Sequence, residues 1–403
     1  MPEKLFLSLL KAAIGGEACA DEIFATEEQW QEVFRLAEIH KVLPLIFDKA
    51  SSLYPYNHEN LLELKQKAML MTTKQALKTL SFLELYKELS QKGLEPLTVK
   101  GIICRSVYPK PDLRISADED MLINPVQAEL YEKELTNAGM LKISNAKADA
   151  QQIGYINSKG LYIEVHNSLF PKDKGYFDRY NKIFENALET AEYTEIEGVK
   201  IRTLPPTLHL LYLILHAAKH FLHSGVGIRQ VSDIIMYANA CKDSIDWDFL
   251  YEKCENLSLL KFTAAIFSIG RDHLNFCESK AFYPKKWREI KADPAPLLED
   301  ILSAGVYGGS SRARLHSAGI TIARTQGKKK NVLSNIFPSA QMMKNKYPYV
   351  KKHPVLLPVA WAQRIIKYRK EMDKESDNTP QGSLKIANER LKLIDSYGLF
   401  SNK

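Results

Sequence analysis

The sequence lacks the cysteine pattern of a disulfide-rich or zinc-binding protein. Its 403 residues include five cysteines, an odd number, and they contain no C-x-x-C pair. We therefore expect neither a disulfide framework nor a cysteine-based zinc site, and we expect the reducing environment of a cytoplasm.

Long apolar runs are missing as well. The run Leu208–Ala218 is interrupted by His209 and His216, and it is shorter than the about 20 residues that cross a bilayer. The first residues have only a short apolar run at helical spacing, which predicts an amphipathic helix and not a signal peptide. The sequence therefore predicts no membrane span.

The charge balance is only mildly basic. The 55 Lys and Arg against 48 Asp and Glu give a formal charge of +7. This excess is compatible with a phosphate-rich partner, but it is too small for a dedicated nucleic-acid coat. A hydrophobic fraction of 45% excludes a largely disordered chain.

Periodicity divides the chain into four regions and predicts the α+β class, with a core of alternating short strands and helices between largely α-helical regions. Within this core, Asn124–Pro125 and Gly139 bound a predicted helix. Two antiparallel β-pairs are also predicted, one between QQIGYINS and LYIEVHNSLF and one between TEIE and VKIRT around Gly198. The basic stretch 307–330 is interpreted as an exposed connection and KESDNTPQGS as a flexible linker. The predicted regions are a helical region 1–93, an α/β core 94–203, a helical domain 204–300 and a helical extension 301–403.

The strand candidates of the core carry an acidic pattern. Asp118 and Asp120 lead into an apolar run, and alternation along a strand would place both carboxylates on one face, about 7 Å apart. Two such carboxylates need a compensating cation, and Mg²⁺, which prefers oxygen ligands, is the natural one. Glu164 lies on a later strand candidate, where Ile163 and Val165 would face the core.

If these strands are neighbours, the three carboxylates converge on one or two metal ions. Upstream, Lys100 and Gly101 stand where a strand gives way to a helix, a place where a glycine allows close approach and a lysine neutralises phosphate. The alternative is that Gly101 only closes a turn and that Lys100 is solvated.

The order of these motifs resembles the DNA polymerase β-like nucleotidyltransferase superfamily. The chain is more closely similar to a bacterial family of nucleotidyltransferases known only by sequence. The matching segments are TVKG, VYPKPDLRISADEDMLI, YIEVH, HAAKHF with IRQVSDI, and IFPSAQMMKNKYPYVKKHPVLLPVAWAQRI.

The resemblance implies a polymerase β-like core built on a small mixed β-sheet. It also implies Mg²⁺-dependent transfer of a nucleoside monophosphate from a nucleoside triphosphate to an acceptor hydroxyl, with pyrophosphate release and with Mn²⁺ as an alternative metal. Asp118, Asp120 and Glu164 would be the catalytic metal ligands, and Glu164 would assist deprotonation of the acceptor. Lys100 and Gly101 would contact the triphosphate. The acceptor is left open among a small molecule, a sugar, an RNA and a protein, and no motif identifies it, the preferred base or the oligomeric state.

Three positions depart from the superfamily pattern. Ile102 replaces the usual serine, Glu119 occupies a commonly apolar position, and the third carboxylate is a glutamate. Glu119 would point into the opposite layer, where we expect it either in a partly open space or paired with an arginine. The first two departures motivate an alternative: a catalytically inactive nucleotide- or partner-binding protein that retains the fold.

Basic side chains near these motifs have open interpretations. His216, His220 and His223 share one helix face, which fits a packed face, a zinc hydrolase, or a nucleotide cleft lined by Lys219 and His220. Arg114 is either a phosphate contact or a loop arginine. Arg229 and Asp233 are predicted to form a helical i,i+4 ion pair, with a place at the cleft border as the alternative.

Overall fold

The computed structural model of the chain describes residues 2–16, 25–56, 58–143, 152–172, 177–223, 225–305, 314, 321, 338–344, 346–372 and 380–399. Four helices come first, as predicted for the N-terminal region. Their bounds are α1 Pro2–Gly15, α2 Glu27–Ile39, α3 Leu43–Ala50 and α4 His58–Gln91.

The central region alternates short strands and helices. Helix α6 follows Asn124, whose side chain accepts a hydrogen bond from the backbone of Val126, and it ends before Gly139 as predicted. The elements are β1 Leu97–Val99, α5 Gly101–Ser106, β2 Glu119–Leu122, α6 Ala128–Asn137, β3 Leu141–Lys142, β4 Gln152–Ile156, β5 Tyr162–His166, α7 Asp178–Asn181, β6 Glu192–Ile196 and β7 Val199–Thr203.

The sheet at the centre has the order β1-β2-β5-β4-β3. Strand β2 pairs antiparallel with β1 and parallel with β5, whereas β4 and β5 form an antiparallel hairpin. The sheet is therefore mixed, and the predicted α+β class is confirmed. The short strand β3 was not predicted, while the separate β6–β7 hairpin was.

Helices dominate the rest of the described chain. They are α8 Pro206–His223, α9 Ile228–Ala240, α10 Trp247–Asn256, α11 Leu260–His273, α12 Lys285–Arg288, α13 Ala295–Ala304, α14 Ala340–Met343, α15 Tyr349–Lys352, α16 Leu357–Met372 and α17 Pro380–Ser396. Helix α17 begins inside the segment predicted as a linker, so that prediction was wrong from Pro380 onward. None of the described helices is long and apolar enough for a membrane crossing.

A single large core extends from Phe6 to Leu399 and includes side chains from all four predicted regions. The segment α14–α16 has a separate small core. The division into four domains stays a prediction. The basic run 324–330 and Cys19 lie outside the described residues. Within the predicted exposed connection, Arg314 and Thr321 are described, and both are buried.

Candidate active site

Asp120 and Glu164 lie side by side on neighbouring strands. They are partners in the parallel register of β2 and β5, so both side chains project from the same face of the sheet. The imidazole of His166, two residues after Glu164, lies 2.8 Å from Asp120 Oδ1 and 3.6 Å from Glu164 Oε2. One ligand atom from each of these three residues lies within 4.8 Å of the others.

The alternation that produces this cluster is visible in β5. Ile163 and Val165 are buried under the sheet, while Tyr162, Glu164 and His166 are partly exposed on the other face. This arrangement of β5 was predicted. The role of His166 as a third donor was missed, although its i+2 spacing from Glu164 was the available signal.

Tyr162 also contacts the cluster. Its hydroxyl donates to Glu164 Oε1 at 3.2 Å. This position is possible because Gly154, opposite Glu164 on β4, has no side chain: a Cβ there would lie 2.6 Å from the Tyr162 hydroxyl. Gly154 therefore makes room for a side chain that orients the carboxylate of Glu164.

The two clustered carboxylates have different electrostatic environments. Burial alone would raise the pKa of Asp120, but the Lys100 ammonium and the bond from His166 hold this pKa well below its usual range. Burial and the neighbouring charges of Asp120 and Asp118 raise the pKa of Glu164. Such a divergence between adjacent carboxyl groups is typical of sites that combine a permanent charge with a proton acceptor.

Asp118 lies just before β2 and is half-buried. It is outside the three-residue group, although its charge acts on Glu164. Asp118 borders a small cavity next to this group. The cavity is lined by Lys100, Gly101, Arg114, Ser116, Asp118, Leu213, His216, Arg229, Gln230 and Asp233.

Lys100 lies at the sharp turn between β1 and α5. Its φ of 55° is in the left-handed region, which is uncommon for residues other than glycine. The backbone N–H donates to His209 Nε2 at 3.2 Å, and the ammonium lies 2.6 Å from Asp120 Oδ2 and 3.2 Å from His216 Nε2. The turn thus aims Lys100 at the acidic cluster, and the alternative of a solvated lysine was wrong.

Glu119 points to the opposite side of β2, as predicted. Its carboxylate accepts hydrogen bonds from the Ile102 backbone N–H at 2.6 Å and from Arg105 at 2.7 Å, and Ser116 also donates to it. The predicted arginine partner is therefore Arg105. Glu119 and Arg105 are both buried, so the unusual acidic residue fixes helix α5 to the sheet.

Arg114 is buried and forms a two-pronged ion pair with Asp233 of α9. Its Nε and Nη2 donate to the two carboxylate oxygens at 3.0 and 2.5 Å. Arg229 donates instead to the carbonyl oxygen of Ile115. The predicted Arg229–Asp233 pair was wrong, because a loop arginine reaches Asp233 from outside the helix.

Helix α8 places two histidines and a lysine beside the cluster. The imidazoles of His216 and His220 lie 3.1 Å apart. Burial and nearby lysine charges hold the pKa values of both histidines well below the usual range. Lys219 is half-buried; burial and the charge of Lys100 lower its pKa to about 8.

The histidine face does not form a zinc site. Among the residues that the structure describes, the potential metal-binding groups do not include His216, His220 or His223. The His223 ring instead contacts Phe177 edge-on. The face is packed and hydrogen-bonded, and nothing in the described structure supports the zinc hydrolase alternative.

Comparison with known proteins agrees with the motif order. A family model described as "Uncharacterised nucleotidyltransferase" matches residues 26–275. A search of curated proteins finds no match. Among solved structures, an antigenic nucleotidyltransferase-like protein from Paracoccidioides brasiliensis is similar at 16% identity and a TM-score of 0.32, over 50% of this chain and 95% of that one.

Proposed function

The chain belongs to the uncharacterised nucleotidyltransferase family, and we propose from this premise that it transfers a nucleoside monophosphate from a nucleoside triphosphate to a hydroxyl acceptor. The observation that carries the proposal is the juxtaposition of Asp120 and Glu164 on adjacent parallel strands. Both the superfamily placement and the bacterial origin stay predictions.

The donor set fits a divalent cation. Asp120 and Glu164 offer carboxylate oxygens, which Mg²⁺ and Mn²⁺ prefer, and His166 adds a nitrogen donor. Asp118, half-buried beside them, would add a third carboxylate. A cation held there would supply positive charge to the triphosphate and lower the pKa of the acceptor hydroxyl.

Positive side chains lie on the side of the cluster where the triphosphate would bind. Lys100 reaches Asp120, and Lys219 lies close enough for its pKa to respond to the acidic groups. We assign Lys100, Gly101, Lys219 and His220 to the triphosphate. The Ile102 amide is already bonded to Glu119, so the turn offers phosphate mainly the Lys100 side chain and the Gly101 backbone.

Arg114 has a different proposed role. Its donors are occupied by Asp233, so we assign it to holding the turn at Gly101, whose carbonyl oxygen lies 3.5 Å from Nη1. In this assignment Arg114 positions the phosphate contacts of the cleft and does not provide one itself.

The proposed reaction is an in-line displacement. The acceptor oxygen forms a bond to the α-phosphorus, and the bond from that phosphorus to the bridging oxygen of pyrophosphate breaks. The hydroxyl proton passes to the Glu164 carboxylate, which lies beside Asp120 on the adjacent strand. Tyr162 orients this carboxylate with a hydrogen bond, and His166 Nε2 lies 3.6 Å from it.

The experiment is an incubation of the protein with α-labelled nucleoside triphosphates, Mg²⁺ and a cell extract that supplies acceptors. We expect label to enter a product with the wild type and not with Asp118→Ala/Asp120→Ala. Equal labelling by both proteins would overturn the enzyme assignment. The inactive-protein alternative instead predicts thermal stabilisation by triphosphate without pyrophosphate release in any acceptor mixture.

A further inference from the structure

The positive charge of the chain is concentrated in one segment. Residues 301–370 contain 14 Lys and Arg and no Asp or Glu, whereas the remaining residues contain 41 Lys and Arg against 48 Asp and Glu. The small net positive charge of the chain is therefore the sum of a strongly basic segment, residues 301–370, and a net acidic rest of the chain. Clustered charge of one sign is typical of segments that bind anionic partners, although Arg314 within it is buried and pairs with Asp300.

Part of this segment folds around its own small core. Helices α14, α15 and α16 bury Met343, Val350 and Ala360 in a cluster separate from the large core. Tyr347, Tyr349 and Trp361 pack against this cluster and remain partly exposed. Aromatic side chains with one apolar and one wet side are typical of water–membrane boundaries.

Another part of this small unit is apolar and open to solvent. Val355 is 88% exposed, Leu356 41%, Val359 47% and Ile366 56%. Val359 and Ile366 are seven positions apart in α16 and therefore lie within about 20° of each other around the helix axis, and Val355 and Leu356 lie in the 3-10 turn just before α16. The unit thus turns one face toward its core and presents a second apolar face outward.

Lysines accompany this face. Lys346, Lys351 and Lys352 are all exposed and lie in and before α15, next in sequence to the apolar run. Aliphatic side chains presented together with lysines, and without acidic neighbours, match the boundary of a bilayer that carries negative head groups. A nucleic acid would match the charge, but it offers no apolar layer for the aliphatic side chains.

We propose that residues 346–366, the basic amphipathic segment, bind the surface of an anionic lipid bilayer. The apolar face of Val355, Leu356, Val359 and Ile366 enters the head-group boundary, and the lysines contact lipid phosphates. Binding lies in the plane of the membrane, which agrees with the finding that no described helix could cross one. This inference does not depend on the proposed transfer reaction.

The test is co-sedimentation of the full chain with two kinds of vesicle. One contains phosphatidylcholine alone, and the other is a two-to-one mixture of phosphatidylcholine and phosphatidylglycerol. We expect binding to the mixed vesicles, little binding to the neutral ones, and loss of binding as salt screens the charges. No binding to either kind of vesicle would overturn the proposal.

Two variants separate the apolar and the charged contributions. Val355→Glu/Val359→Glu should lower the partition coefficient by about tenfold or more, because the apolar side chains no longer enter the boundary. Val126→Glu is the matched control, since Val126 is 91% exposed outside the segment. Equal losses in both variants would contradict the assignment to this face.

For the charges, Lys351→Glu/Lys352→Glu should also weaken binding to mixed vesicles by about tenfold or more. Lys133→Glu/Lys200→Glu makes the same charge change at exposed positions elsewhere and should weaken it less. Binding to a DNA duplex or an RNA, without binding to vesicles, would identify a nucleic acid as the partner and overturn the lipid proposal. Nucleotidyl transfer measured on Val355→Glu/Val359→Glu should equal that of the wild type, which keeps the two proposals distinguishable.

Discussion

The carboxylate of Glu119 occupies the space that a side chain at Gly101 would need. A Cβ built on Gly101 would lie 1.8 Å from Glu119 Oε2, and the φ of Gly101 is +27°. The same carboxylate is fixed by the Ile102 amide and by Arg105. The glycine at the strand-to-helix turn is thus required by a buried ion pair on the side of β2 opposite Asp120.

Replacing Gly101 should therefore be unusually costly. We expect Gly101→Ala to lower the free energy of unfolding by about 2 kcal/mol or more, because the Glu119 carboxylate must move and its bonds must break. Gly160→Ala is the control. Gly160 also has a positive φ, of +81°, but no atom lies within 4 Å of its added Cβ, so only the backbone cost of about 1 kcal/mol applies. Urea unfolding of both variants gives the comparison, and equal losses would contradict the account of this turn.

The Arg114–Asp233 pair makes a prediction about stability. Removing either partner alone, as in Arg114→Met or Asp233→Leu, should cost about 3–5 kcal/mol because a buried charge remains without its counterion. The double variant should cost clearly less than the sum of the two losses. A double-mutant cycle by chemical unfolding measures this coupling. Additive losses would show that the two residues act independently.

An exposed ion pair serves as the control for these unfolding measurements. Lys285 and Glu289 form an i,i+4 pair at 3.6 Å with side chains 85% and 65% exposed. We expect Lys285→Met to change the unfolding free energy little, because solvent screens this pair.

His40 should make stability depend on pH. Its Nδ1 accepts a hydrogen bond from the Ile228 backbone N–H, and Nε2 faces the Leu302 carbonyl oxygen at 3.2 Å. This environment suits the neutral imidazole, and burial lowers the pKa of His40 to about 4. Since an unfolded histidine has a pKa of about 6.5, the unfolded chain binds more protons between these values.

The stabilising contribution of His40 is therefore complete above about pH 6.5 and is lost as the pH falls toward 4. The loss is on the order of 3 kcal/mol. His40→Gln should have a flatter stability profile over this interval, measured by urea unfolding at a series of pH values. His353→Gln, at an exposed histidine, should follow the wild type. A His40→Gln profile parallel to the wild type would contradict this role.

Many features of the core were predicted from patterns of residues that are close together in the sequence. Strand alternation placed Tyr162, Glu164 and His166 on one face of β5. Gly139 and the pair Asn124–Pro125 bounded the helical segment between β2 and the hairpin. These features depend on residues close together in sequence, where pleat geometry and capping determine the outcome. The predicted convergence of the carboxylates was conditional on β2 and β5 being neighbours, and the observed register shows that they are.

Contacts between distant segments could not be predicted in the same way. Arg114 and Asp233 are 119 positions apart in the sequence, and Lys100 and His216, which are also in contact, are 116 positions apart. Asp233 pairs with Arg114 and not with Arg229 because of how α9 packs beside the core. The helical i,i+4 spacing in the sequence does not specify that packing. The contact of Tyr162 with Glu164 likewise needs the absent side chain of Gly154 on a paired strand.

The central claim is that Asp120 and Glu164 support transfer of the α-phosphoryl group with its nucleoside. The most direct measurement compares α-labelled with γ-labelled nucleoside triphosphates, in Mg²⁺ and a cell extract, for the wild type, Asp120→Asn and Glu164→Gln. Asp243→Asn, at an exposed aspartate, is the control. We predict that the wild type and the control transfer only the α label, and that both site variants are slower by about 100-fold or more. Transfer of the γ label, or undiminished α transfer by Asp120→Asn, would contradict the account.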